Sequence, residues 1–473
     1  MLHSEKLNAK AKAFLGLNHQ ALENTVLATI INKKVYDVES MKLDSLKRTL
    51  PHTSLKDALC KSGRSFILEC KQSSPTLGDF CSDFNLDKLL SAYNRHGSAI
   101  SVLCEKHFFK GSFTYLNYVK AHTHLPVICK DFIICKEQIV KAYNSGADAI
   151  LLMLSVVDKC LFKELYDYAK SLNLDVLCEV ENEEEALYAK ELHLPIVGIN
   201  NRNLKTLEIN LNNARTLAKL FDKDTIIVSE SGIKTHQDIV SLSPINNFLI
   251  GSSLTIEKDV EFKAISLLYG TNKICGLKTP EAIEACIANH AAIGGLIFAK
   301  KSPRFIDVHE AKALIAPYKG KIKFAGVFVN EDIDSIAAIA KTLDLDYLQL
   351  HGSESIENIK LIKERLPQIK IIKAFSIENQ DSFEKIRPYQ EICDLLLLDS
   401  KNPGSGSSFN WNDIPKFIDK NRTLLSGGIG LDNLKEALSL NFAGLDLNSK
   451  LESIKGLKDP QKIAQALRIV CKF

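Results

Sequence analysis

The apolar residues of this chain fall in short continuous runs of Val, Ile, Leu and Phe, separated by longer charged, amphipathic stretches. In the first half the runs are "FILEC" (66–70), "AISVLCE" (99–105), "PVICKDF" (126–132), "AILLML" (149–154), "DVLCEV" (175–180), "IVGINN" (196–201), "TIIVSES" (225–231) and "FLIGSS" (248–253). They are apolar throughout rather than alternating, as parallel strands buried on both faces must be. Spacers of roughly 20–30 residues fit a crossover helix with two loops. After "YGTN" the count restarts with "KICGL" (273–277), "GGLIFA" (294–299), "KFAGVFV" (323–329), "YLQLHG" (347–352), "IIKAFS" (371–376), "LLLLDS" (395–400), "TLLSGGI" (423–429) and "GLDLNS" (444–449). Eight units in each half predict two tandem (β/α)8 TIM barrels. Two doubly wound sheets are the alternative, and the regular count of eight weighs against them.

Residues 1–65 precede the first strand. Val26, Ile30, Ile31, Val35 and Val38 recur at helical spacing and predict an amphipathic helix, so the first barrel carries an N-terminal helical extension. Ser54 and Gly63 bracket a second helix as N-cap and terminator. The predicted division is an extension of unassigned role (1–24), a first barrel (25–270) and a second (271–473).

Composition adds constraints. With 45% hydrophobic and 25% charged residues the 473-residue chain is of ordinary globular make-up. A net charge of +3 does not ask for nucleic acid. The 12 cysteines are scattered without a CxxC pair, and Cys70, Cys104, Cys129 and Cys178 sit in apolar runs, as reduced core thiols do. No signal-peptide core or membrane-length apolar run occurs, so the expectation is a cytoplasmic enzyme without membrane or nucleic-acid partners. No metal-ligand spacing is found, and His122 and His124 read as surface loop.

In such barrels the chemistry gathers at the C-terminal ends of the strands. The first half places Glu69, Lys71, Glu105, Lys130, Asp131, Glu179, Asn200, Asn201, Arg202, Glu230 and Ser231 there. A charge closing a buried strand needs a partner, and this many predict a mixed-charge cup for proton transfer and anion binding. The phrase "VSESGIKTHQDI" (228–239) nearly returns as "TLLSGGIGLDNL" (423–434). With "IGSS" and "DLNS" following, strands 7 and 8 of both halves end in small polar turns where barrels bind phosphate: Ser231, Gly232, Gly251 and Ser252 in the first, Gly427, Gly428, Asn448 and Ser449 in the second. The second half adds Cys275, Arg304, Gln349, His351, Asp399 and Asp446, with a Gly/Ser-rich loop after Asp399 that reads as a mobile lid.

Through "FILECKQSSP", "ICKDFII", "VLCEVENEEE", "VGINNRNL", "VSESGI" and "FLIGSSL", residues 25–270 resemble indole-3-glycerol-phosphate synthase. Through "KICGL", "SPR", "QLHG", "LLDS", "FNW" and "LSGGI", residues 272–473 resemble phosphoribosylanthranilate isomerase. Their order is similar to the fused tryptophan-biosynthesis enzymes of bacteria. The resemblance implies Lys130 as general acid of the synthase, with Glu69, Lys71, Glu179 and Asn200 as further catalytic groups. It implies Ser74, Arg202, Glu230, Ser231, Gly232, Gly251 and Ser252 as substrate and phosphate contacts. For the isomerase it implies Cys275 as general base, Asp399 as general acid, and Arg304 on the anthranilate carboxylate. Phosphorylated anthranilate derivatives would be the ligands, with no metal or organic cofactor, and the chain would be a monomer. Two departures stand out: Lys450 follows Ser449 where a small residue is usual, and "PGSGSS" replaces a Gly-Gly-Thr-Gly run after Asp399. A pair of histidine-biosynthesis barrels would use two aspartates in place of Cys275 and Asp399. A degenerate scaffold barrel would not need its ionisable residues.

Overall fold

The computed structural model describes residues 5–81, 83–401, 404 and 406–473. The N-terminal methionine and its three neighbours, and part of the loop expected to act as a lid, lie outside the described residues. The chain forms two compact units, one running to residue 264 without 235–240, the other comprising Thr235–Val240 and Ile265–Phe473.

The first unit is a closed parallel barrel of eight strands: β1 Ser65–Cys70, β2 Ala99–Leu103, β3 Val127–Lys130, β4 Ala149–Met153, β5 Asp175–Val180, β6 Ile196–Asn200, β7 Ile226–Glu230 and β8 Asn247–Ile250. Each strand pairs with its sequence neighbour, and β1 closes on β8 in the register Ser65↔Asn247 to Leu68↔Ile250. Strands β1, β2, β4, β5, β6 and β8 are buried along their whole length, which is why the sequence shows unbroken apolar runs there. Cys70, Cys104, Cys129 and Cys178 are buried within this layer as free thiols.

The extension supplies short helices at Ala9–Ala13 and His19–Leu22 and a longer one at Val26–Glu39, N-capped by Asn8, Asn18 and Thr25. All five apolar positions that predicted the long helix are buried. It is fixed by an ion pair between Lys34 and Asp131 at 2.6 Å, with both side chains almost fully buried. At the opposite end of the barrel Asp148 gathers Arg48 and Lys120 and accepts from the Val127 and Thr53 amides.

The second unit is a second closed parallel barrel: β9 Lys273–Cys275, β10 Ile293–Ile297, β11 Lys323–Phe328, β12 Tyr347–Leu350, β13 Lys370–Ile377, β14 Leu395–Ser400, β15 Thr423–Leu425 and β16 Gly444–Leu447. Here β9 closes on β16, with Lys273 opposite Asp446. Its helices start at sequence-encoded caps, such as the Asp307/Glu310 capping box before Val308–Ile315.

Candidate active sites

In the first barrel the strand ends converge on a cavity of about 410 Å³. It is lined by Glu69, Lys71, Ser74, Lys130, Glu179, Asn200, Arg202, Glu230, Ser231, Gly232, Gly251 and Ser252, so every residue that the resemblance implied for the first half reaches one space. Its walls are apolar, from Val26 and Ile30 of the extension to Phe109, Phe132, Leu207 and Ile233. An apolar cleft with a few convergent polar groups suits an aromatic substrate carrying an anion.

The floor is a charge network. Lys130 Nζ lies 2.5 Å from Glu230 Oε2 and 3.7 Å from Glu179 Oε2. Asn200 Nδ2 donates to Glu179 Oε1 at 2.9 Å, and Lys71 pairs with Glu69 at 2.6 Å. The second Glu230 oxygen, Oε1, is buried with no hydrogen-bond partner among the described residues. Burial works against the Lys130 ammonium, but Glu230, Glu179 and Glu69 outweigh it and hold its pKa above the ordinary lysine value. Burial pushes Glu230 up to about 7 against the pull of Lys130, with Glu179 and Glu69 adding repulsion. Burial likewise raises Glu179, whereas Glu69, beside Lys71 and Lys130, is lowered despite its burial. The carboxylates around one lysine are therefore shifted in opposite directions, Glu230 and Glu179 up and Glu69 down.

Two glycines make room for these groups. A Cβ at Gly198 on β6 would lie 2.0 Å from Glu230 Oε1, and one at Gly251 would lie 2.3 Å from Glu69 Oε1. Ser231 and Gly232 both adopt positive φ, 67° and 87°, so the loop after β7 turns sharply beside the Glu230 carboxylate. Ser74 Oγ accepts from the Leu77 amide across a short turn at the cavity wall.

Two polar strand ends are committed to structural partners, although Asp131 also touches the cavity wall. Asp131 turns to the extension, where Lys34 takes it, and Glu105 accepts from the amides of His107, Phe108 and Phe109. Both residues hold backbone and helix in place. The alternation of side chains along an extended segment sends Asp131 to the opposite side from Lys130, and the sequence alone did not separate them. Asn201 is also structural: its Nδ2 donates to Ser229 Oγ and to the carbonyls of Glu230 and Ser231.

The second barrel holds a different set. Cys275, almost fully buried on β9, packs with Ile297 and Val327. Lys273, two residues earlier and fully buried, donates to Asp446 Oδ1 at 2.8 Å. Asp399 at the end of β14 accepts from the Ser400 amide through Oδ1 and faces His351 Nε2 at 3.6 Å through Oδ2. Burial, with repulsion from Asp446, pushes Asp399 up to about 6. Burial, with Lys273 and Lys373 nearby, pushes His351 down to about 4, so the imidazole is neutral. Gln349 Nε2 lies 3.1 Å from His351 Nδ1. Burial raises the Cys275 thiol above its ordinary value, opposed by Lys273.

The other candidates of this half are brought near that centre. Gly427 and Gly428 have positive φ, and a Cβ on Gly427 would lie 3.4 Å from Asp399 Oδ1. The loop after Asp399 folds over the glycine pair, since a Cβ on Gly428 would lie 2.4 Å from the Gly406 carbonyl. Ser449 lies under the same loop. Asn448 Oδ1 accepts from Lys458 at 3.0 Å. Arg304 is buried and meets Glu452 through Nε at 2.6 Å and Nη2 at 3.1 Å; Nη2 also reaches the Gly404 carbonyl. The unusual Lys450 turns to Asp432 at 2.6 Å.

Sequence reasoning passed over Lys273, Gly198 and Glu452. The signal for Lys273 was present as a lysine two residues before Cys275 in a buried strand. For Gly198 and Glu452 no local signal exists, because their partners lie 32 and 148 residues away.

Two eight-stranded parallel barrels, each with acids and bases gathered where the strands end, define a tandem TIM-barrel enzyme. Residues 25–267 match the family model "Indole-3-glycerol phosphate synthase", and residues 272–468 match "N-(5'phosphoribosyl)anthranilate (PRA) isomerase". The Tryptophan biosynthesis protein TrpCF of Helicobacter pylori (strain 26695) is 40% identical over 459 residues, 95% of this chain and 100% of that one. TrpCF of Buchnera aphidicola subsp. Acyrthosiphon pisum is 40% identical over 91% of this chain and 96% of its own, and TrpCF of Vibrio cholerae 38% identical over 94% and 95%. The chain belongs to this TrpCF family of fused tryptophan-biosynthesis proteins, a synthase barrel followed by an isomerase barrel.

Proposed function

We propose that the chain performs two consecutive steps of tryptophan biosynthesis at two separate sites, each built from one barrel. The C-terminal barrel isomerises N-(5-phosphoribosyl)anthranilate to 1-(2-carboxyphenylamino)-1-deoxyribulose 5-phosphate. The N-terminal barrel closes that product to indole-3-glycerol phosphate with loss of CO2 and water. Small phosphorylated anthranilate derivatives are the ligands, and the protein works in the cytoplasm as a monomer.

In the isomerase barrel Asp399, kept protonated near pH 6 by burial and by Asp446, delivers a proton to the ribose ring oxygen and the ring opens. Cys275 as thiolate then removes the C2′ proton, and the enol that forms settles to the ketone. Arg304, whose described hydrogen bonds use Nε and Nη2, presents Nη1 to the anthranilate carboxylate. Gly427, Gly428, Asn448 and Ser449 hold the phosphate.

In the synthase barrel the ring carbon bearing the carboxylate attacks the C2′ ketone. Lys130 protonates the developing oxyanion, and CO2 leaves. The C2′ hydroxyl then departs as water with a second proton from the lysine, which Glu230 and Glu179 resupply, and the carboxylate so formed takes the C1′ proton as the indole double bond forms. Glu69 fixes Lys71 beside the substrate anion. Asn200 orients Glu179, Arg202 holds the substrate, and Ser74, Ser231, Gly232, Gly251 and Ser252 form the phosphate cradle.

The observation that carries this reading is Lys130 set between Glu230 and Glu179 on the floor of an apolar cavity. Purified Lys130→Ala and Cys275→Ala chains, assayed on each substrate separately, test it. Lys130→Ala is expected to lose indole-3-glycerol phosphate formation and keep the isomerase; Cys275→Ala is expected to do the reverse. A folded variant that loses both activities overturns the two-site assignment.

A further inference from the structure

Burial alone would keep the Cys275 thiol protonated, and a thiol is a poor base. Something in the second barrel must favour its anion. Lys273 is the cation placed to do so. It lies two residues before Cys275 on β9, so the two side chains leave the strand on the same side. A Cβ built on Gly295 of the neighbouring β10 would sit 3.0 Å from Cys275 Sγ and 3.1 Å from Lys273 Cε. The thiol and the lysine stem therefore converge over Gly295, where no side chain intervenes. The ammonium is fully buried and is fixed by Asp446 Oδ1 at 2.8 Å, from the strand that closes the barrel against β9.

We propose that Lys273, anchored by Asp446, is a positioning residue of the isomerase site whose ammonium stabilises Cys275 as the thiolate. The inference rests on the reading of Cys275 as the base. A buried lysine–carboxylate pair is a weak source of stability, since desolvation cancels much of its attraction. Its place beside the thiol gives it a use that stability does not.

The other charged groups facing Cys275 are Asp446 on β16 and Lys458 in the segment after it, while Asp399 on β14 and His351 just after β12 face the same interior. Asp446 opposes the thiolate; Lys273 and Lys458 favour it. The thiol titrates above Asp399, so the working form, thiolate with protonated Asp399, is the minority species. The profile of kcat/KM then has a plateau bounded by two breaks, the lower set by Asp399 and the upper by Cys275. The height of the plateau falls about tenfold for each unit by which the thiol rises.

The test uses the full chain carrying Lys273→Met with Asp446→Leu, which removes both charges and leaves no unpaired buried ion, and a second chain carrying Lys273→Arg. In the double variant the loss of Lys273 outweighs the loss of the opposing Asp446, so the alkaline break is expected to move up by at least about one pH unit, the acid break, freed of Asp446, moves down, and isomerase kcat/KM on the plateau falls at least about tenfold. The ultraviolet thiolate titration, taken as the difference from the same chain with Cys275→Ser, moves with it. Lys273→Arg keeps the cation and is expected to keep the wild-type titration. Should the double variant not fold, Lys273→Gln is expected to give the same upward displacement. A folded charge-free variant with the wild-type titration overturns the proposal, as does Lys273→Arg behaving like the charge-free variants. If Cys275→Ala retains isomerase activity, the base assignment fails, yet the thiolate titration still decides the effect of Lys273.

Discussion

The two sites use the same residue types in opposite ways. In the first barrel one lysine is surrounded by three carboxylates, so the cation is secured and the carboxylates compete: Glu69 is held ionised while Glu230 is pushed up to about 7. In the second barrel one carboxyl, Asp399, is pushed up to about 6 by burial and, after it, by the like charge of Asp446. If Asp399 must be protonated and Cys275 ionised, with the thiol the weaker acid, isomerase kcat/KM rises with pH to a break at about 6 and is flat from there to the alkaline break of Cys275. The initial-rate profile of the isolated isomerase reaction checks this. A break that persists in Asp446→Asn at the same pH would mean that repulsion from Asp446 does not set it, because removing that charge is expected to lower the Asp399 value.

At the level of elements, the N-terminal extension is part of the first site and not an appendage. Val26, Leu27 and Ile30 of its long helix line the cavity, and the same helix sends Lys34 to Asp131, the neighbour of Lys130. Lys34→Met leaves the Asp131 carboxylate buried without its partner. It is expected to destabilise the first barrel by about 3–5 kcal/mol, because an uncompensated buried charge keeps its desolvation cost. Calorimetry should show the loss in one transition only, with synthase activity reduced and isomerase activity kept. Lys34→Met combined with Asp131→Leu removes both charges and is expected to recover most of the stability.

At the scale of the whole molecule, the residues of each site come from a single compact unit: 69–252 in the first, 273–458 in the second. Among the described residues no proposed catalytic group is shared. A mixture of Lys130→Ala and Cys275→Ala chains is therefore expected to convert N-(5-phosphoribosyl)anthranilate to indole-3-glycerol phosphate, each variant doing the step the other lacks. Indole-3-glycerol phosphate measured in the mixture and in each chain alone checks this; no product from the mixture would contradict the independence of the sites.

The hydrophobic pattern by itself determined sixteen strands and their grouping by eight, because strands buried on both faces must be continuously apolar and each crossover needs a helix of similar length. Strand-end chemistry was legible for the same reason: Lys130, Glu179, Glu230, Cys275 and Asp399 each close a buried strand, where a polar residue needs a purpose. What the pattern does not contain is direction and partnership across the barrel. Lys130 and Asp131 are adjacent in sequence, yet one faces the cavity and the other the Lys34 helix. Arg304 and Glu452 are 148 residues apart and bonded. Gly198 is an ordinary strand glycine until Glu230 is seen to occupy the space where its Cβ would be. Those facts belong to the tertiary structure alone, because closing a sheet into a barrel sets side chains from distant strands against one another at a register that no local periodicity specifies.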